Sequence, residues 1–154
     1  MNDVRLMRSE PATAEAVGRL RQAVVDYAES MGASDAKSNA VRLTISEALT
    51  NVVAHAYVGR EPGPMIVEAC LNGGGNLLVF VCDEGPGPMP RLGATGLGLG
   101  LGLMAQLSDG FAIEKRQPRG TVVSLRFSLA GPFGSRAGIE TEAPLRIDEQ
   151  SSGR

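Results

Sequence analysis

Three stretches of this 154-residue chain carry side chains whose type and spacing could do chemistry. In the first, Glu47 and Asn51 stand four residues apart, with His55 four further on. Residues at that spacing share one face of a helix, so a carboxylate and a carboxamide point into the same space. The pair offers a proton acceptor beside an oxygen ligand for a hard cation such as Mg²⁺. The same spacing also describes the polar face of an ordinary amphipathic helix. The second stretch is Asp83-Glu84-Gly85-Pro86-Gly87. Its carboxylate can accept a hydrogen bond from an exocyclic amine, either adenine N6 or guanine N1/N2, and its glycines let a ligand approach the backbone. Read alone, such a stretch is more often a plain turn. The third is Gly96-Leu97-Gly98-Leu99-Gly100-Leu101-Gly102. Each glycine costs a helix about 1 kcal/mol relative to alanine. That cost makes sense where bare N–H groups meet an anion at a helix N-terminus, and otherwise the run is a flexible loop. No Gly-Lys-Ser/Thr follows, so it is not a Walker A loop.

The elements that must position these residues can be read from periodicity. Residues 3–8 form a short extended segment. Ser9 and Pro11 then mark a helix start, and Val17, Leu20, Val24, Tyr27 and Met31 keep helical spacing up to Gly32. Ser34 and Asp35 cap a second helix, expected to run to about Tyr57 with Glu47 and Asn51 on it. Residues 65–71 and 77–82 are strands joined by the hairpin Asn72-Gly73-Gly74-Gly75-Asn76. The second is apolar on both faces, which predicts a central strand. A short connection leads to a helix near 101–107, opened by Gly98 and Gly100. A second hairpin, 111–116 and 121–129, follows around Gln117-Pro118-Arg119-Gly120. The order β-α-α-β-β-α-β-β predicts an α+β, two-layer α/β sandwich with helices on one face of a mixed sheet. Residues 1–130 read as one domain and 131–154 as a disordered tail.

Composition narrows the function classes. Net charge is −2, Trp is absent and six aromatics occur, which argues against a nucleic-acid partner. No apolar run reaches the ~20 residues of a membrane span, and no apolar leader opens the chain, so a cytoplasmic protein is expected. Cys70 and Cys82 fall inside predicted strands as buried thiols, and one histidine disfavours a zinc site.

Taken together, the helix with Glu47 and Asn51, the Asp83 turn, the glycine-opened helix and Gly120-Thr121 resemble the GHKL ATPase superfamily, whose nucleotide fold is the Bergerat fold. The wording Ser-Glu-Ala-Leu-Thr-Asn-Val-Val-Ala-His-Ala-Tyr over 46–57 looks like that of the anti-sigma-factor serine/threonine kinases. The resemblance covers residues 5–129. It implies that Asn51 holds Mg²⁺ at the triphosphate of ATP and that Glu47 is general base on a substrate serine. It also implies that Asp83, supported by Thr121, reads the adenine amine. Gly85 and Gly87 would shape the base pocket, and Gly98 and Gly100 would cap the phosphates. His55 matches a histidine common in the subfamily, and Arg19 falls where relatives present an arginine to a sigma factor. The implied partners are a STAS-domain antagonist of the anti-sigma factor, a sigma factor and a second copy in a homodimer. One departure is the connection 88–97, short for an ATP lid, with Arg91 its only charge; Gly102 replaces a bulkier residue. A nucleotide-dependent binding switch without phosphate transfer is therefore the alternative. A histidine kinase half is disfavoured, since no phosphoacceptor helical hairpin accompanies the domain.

Overall fold

Two side-chain caps set the pair of long helices. Thr13 accepts a hydrogen bond from the Ala16 N–H at 3.3 Å and opens α1 (Ala14–Ser30). Ser34 accepts from the Lys37 N–H at 3.2 Å and opens α2 (Asp35–Asn51). α1 ends as expected at Gly32, whose φ of 97° frees the Ala33 N–H to reach the Ala28 carbonyl at 2.9 Å. Its start differs from expectation. Ser9 and Pro11 lie in strand β1 (Leu6–Pro11), held extended by pairing with Ile66 and Pro64. That ladder outweighs the local helix-start signal, and Pro11 is tolerated at the end of an edge strand.

The computed structural model describes residues 4–87 and 97–130; for 97–99 it gives the backbone course alone. The expected lid 88–97, up to its last residue, and the expected tail 131–154 lie outside the described residues. Strands β2 (Pro64–Leu71), β3 (Asn76–Asp83), β4 (Gly110–Lys115) and β5 (Thr121–Ser128) complete a five-stranded sheet of order β1-β2-β3-β5-β4. β3 is central, as its doubly apolar sequence predicted.

The α+β sandwich stands as expected, but the sheet is antiparallel in every pairing rather than mixed. The reason is topological. Two helices between β1 and β2 return the chain to the end it left, so β2 runs back along β1. The single helix α3 (Leu97–Leu107) between β3 and β4 does make those strands parallel, but β5 is inserted between them. α3 also begins earlier than the expected 101–107. Buried Met104 and half-buried Leu101 pack it on the core, which overrides the poor helix propensity of its glycines.

The core lies between helices and sheet. Leu20, Val24, Val41, Ile45 and Leu49 meet Met65, Val67, Leu77, Val79, Leu125 and Phe127, all at most 2% exposed. The first strand hairpin turns on Asn72, whose side-chain Oδ1 accepts from the Gly74 and Asn76 N–H groups, each at 3.0 Å.

Asp109 ties the layers at the far end from the catalytic candidates. It accepts from the Ser128 N–H at 2.7 Å and from Lys37 Nζ at 2.9 Å. The Ser128 N–H first, and Lys37 second, hold its carboxyl below the usual carboxylate value of 3.8. A depressed folded value stabilises the fold above the unfolded value, and that contribution is lost as pH falls through the folded one. Thermal melts should therefore show Asp109→Asn less stable than wild type at pH 7. The gap should close as pH drops below about 4.

Candidate functional site

α2 presents Glu47 and Asn51, both half-buried, to the first turns of α3. The meeting point is Gly100, which is buried. A Cβ placed on it would sit 3.0 Å from Glu47 Oε2 and 3.8 Å from Asn51 Nδ2. Carboxylate, carboxamide and glycine backbone thus share one small space, as the sequence spacing predicted. Gly98 is the second residue of α3. The first four N–H groups of a helix have no partner within it, and those of α3 lie at the end that meets Glu47 and Asn51. Gly102 differs: no described atom lies within 4 Å of a Cβ placed there, so sterics give no reason for glycine.

Beyond Asn51 the helix does not continue as α. It widens into a π-type turn, Val52–Ala56, instead of the single α-helix expected to about Tyr57. Such turns insert an extra residue and concentrate at functional sites. His55, half-buried, lies within that turn.

The second cluster forms where β3 ends. Asp83 is 2% exposed and accepts from the Gly85 N–H at 2.9 Å. Thr121, 4% exposed, is its cross-strand partner on β5. Gly85 is pressed onto the end of the π-type turn; a Cβ there would lie 2.5 Å from the Ala56 carbonyl oxygen. Gly87 has a φ of 112° and faces the Gly120 carbonyl. Asp83, Gly85, Gly87 and Thr121 are therefore gathered as expected. Ala56, at the end of the π-type turn that follows Asn51, joins them to the first cluster.

Two residues matter more here than their sequence suggested. Gly120 (φ 111°) is packed so closely on Asp83 that a Cβ would run into that carbonyl. Tyr57 donates to the Pro64 carbonyl at 2.6 Å and accepts from the Glu84 N–H at 2.8 Å. Burial raises the Tyr57 phenol above its ordinary value, so it remains a hydroxyl at neutral pH. Its sequence signal is confined to closing the stretch 46–57, just before Gly59, with no role attached to it. Arg19 stands apart, exposed and paired with Glu10 at 2.7 Å.

Among the described residues no three His, Cys, Asp or Glu side chains gather as a metal cage. Asn51 beside Glu47 nevertheless suits Mg²⁺, which keeps several waters and takes one or two protein ligands alongside substrate phosphates.

An α+β sandwich with an acid-and-amide helix facing a glycine-opened helix, and a buried aspartate at the end of its central strand, defines a class of nucleotide-binding ATPase domain. The family model for the histidine kinase-like ATPase domain matches residues 10–127, and the chain belongs to that family. Family membership implies ATP binding. Among solved structures, the chain is similar to the RsbU and RsbW domains of Rv1364c from Mycobacterium tuberculosis, at 25% identity and a TM-score of 0.66. That match covers 82% of this chain but 32% of the other, so the chain spans about a third of that relative. The histidine kinase domain of the Erythrobacter litoralis EL346 blue-light activated histidine kinase shares the fold at 23% identity and a TM-score of 0.52. Here 77% of this chain and 61% of that one are covered. No curated protein matches the chain. Among the described residues no helix is long and apolar enough to cross a membrane.

Proposed function

We propose that this protein is a cytoplasmic, Mg²⁺- and ATP-dependent serine protein kinase that also acts as an anti-sigma factor. Its substrate is a serine hydroxyl on a STAS-domain antagonist, its regulated partner is a sigma factor, and it works as a homodimer. The observation that carries this reading is the convergence of Glu47, Asn51 and Gly100. The similarity to a chain with an RsbW domain supports it.

Each residue has a part in that reading. Asp83, with Thr121 beside it, holds the adenine amine in a pocket shaped by Gly85 and Gly87. The backbone N–H groups of Gly98 and Gly100 bind the phosphates. Asn51 is the protein ligand of Mg²⁺, whose bound charge offsets that of the triphosphate. Glu47 accepts the serine proton as the hydroxyl oxygen attacks the γ-phosphorus and the bond to ADP breaks. Nothing here requires a covalent enzyme intermediate.

The test is incubation with ATP, Mg²⁺ and purified STAS-domain proteins, followed by mass spectrometry. Phosphoserine on one STAS partner, lost with Asn51→Ala, is the expected result. ATP binding with no transfer to any STAS protein favours the binding-switch alternative, which the short connection 88–97 and its single charge Arg91 motivate.

A further inference from the structure

One hydroxyl joins three segments that lie far apart in sequence. Tyr57 at the end of the π-type turn holds Pro64 at the start of β2 and Glu84 in the turn after β3. Its ring fills the space where a Cβ on Gly63 would fall. The preceding residue, Ala56, provides the backbone on which Gly85 rests. Two adjacent residues on the helix side thus hold two adjacent residues of the turn. Gly85 in turn donates its N–H to Asp83 Oδ1. A displacement of Glu84 or Gly85 would therefore loosen a hydrogen bond that orients the Asp83 carboxylate.

We propose that Tyr57 is a positioning residue for base selectivity, holding the turn 84–85 so that Asp83 is presented to the exocyclic amine of an adenine. This rests on the nucleotide reading above and extends it to a residue that does not itself touch the base. The phenol ring alone would fill the same volume; the hydroxyl is what fixes the turn. Glu84 is exposed, so water can take its N–H when the hydroxyl is removed. The change then appears in geometry more than in folding.

Tyr57→Phe keeps the ring and removes both hydrogen bonds. The readout is the ratio of affinities for ADP and IDP by calorimetry, since inosine lacks the amine. We expect wild type to prefer ADP and Tyr57→Phe to lower that preference about tenfold, with a cooperative melt retained. Asp83→Asn should also lower it, and adding Tyr57→Phe to Asp83→Asn should lower it little further, because both act on one interaction. Arg116→Ala, which removes only the 3.6 Å ion pair to Glu84, should leave the ratio unchanged. An unchanged ratio in Tyr57→Phe, or additive effects in the double variant, overturns the proposal and leaves the nucleotide reading standing. A wild type that binds neither nucleotide overturns both.

Discussion

Glu47→Gln is expected to cut phosphate transfer by about 10²–10⁴-fold while leaving ADP affinity within about twofold. Glutamine has the volume of glutamate, so the close approach to Gly100 survives and the helix contact is undisturbed. Only the capacity to take a proton is removed. The asymmetry between lost transfer and retained binding is the signature of a group acting in the transition state rather than in ground-state binding. Single-turnover transfer of labelled phosphate to the proposed STAS-domain substrate measures one quantity, and calorimetry with ADP the other. Should variant and wild type transfer phosphate equally, Glu47 is not the base. Should neither transfer any and both regulate the partner alike, the protein is a binding switch.

The second large effect falls on folding. Gly120→Ala should destabilise the protein by about 3–5 kcal/mol, because two penalties coincide. The φ of 111° is a region that residues with a Cβ rarely adopt, and the new methyl would collide with the Asp83 carbonyl rather than with a flexible side chain. For a domain of this size the melting temperature should fall by roughly 6–15 °C. Gly102→Ala is the matched control. It lies exposed within α3, and among the described residues nothing comes within 4 Å of a Cβ placed there, so alanine should be neutral or stabilise by about 0.5–1 kcal/mol. If Gly120→Ala melts like wild type, the contact between β5 and the Asp83 turn is looser than described.

Much of this site was legible because its signals are local. The four-residue step from Glu47 to Asn51 fixes a shared helix face whatever the tertiary structure does, and both side chains do reach Gly100. The doubly apolar run 77–82 marked the central strand for a similarly local reason. What escaped depended on contacts between distant segments. Ser9 and Pro11 look like a helix start until β2 pairs with them. The direction of the sheet depends on β5 entering between β3 and β4, which no single stretch encodes. Tyr57 has no periodic signature, because its importance comes from Pro64 and Glu84, 7 and 27 residues away. In sequence, the glycines of α3 read as a phosphate device. The structure adds a packing reason at Gly100 and none at Gly102.

The widened turn at Val52–Ala56 also governs how the gene can vary. One residue of an α-helix advances the chain by about 100° around its axis. A π-type turn carries one residue more than the α turn it replaces, so losing one of these five residues would let the segment relax to regular α geometry with Tyr57 kept nearly in phase. Ala54 is exposed and can be exchanged freely for other side chains. The segment can therefore shorten by one residue with little change of phase, whereas a residue added to it would turn Tyr57, and the Glu84 turn it holds, away from Asn51.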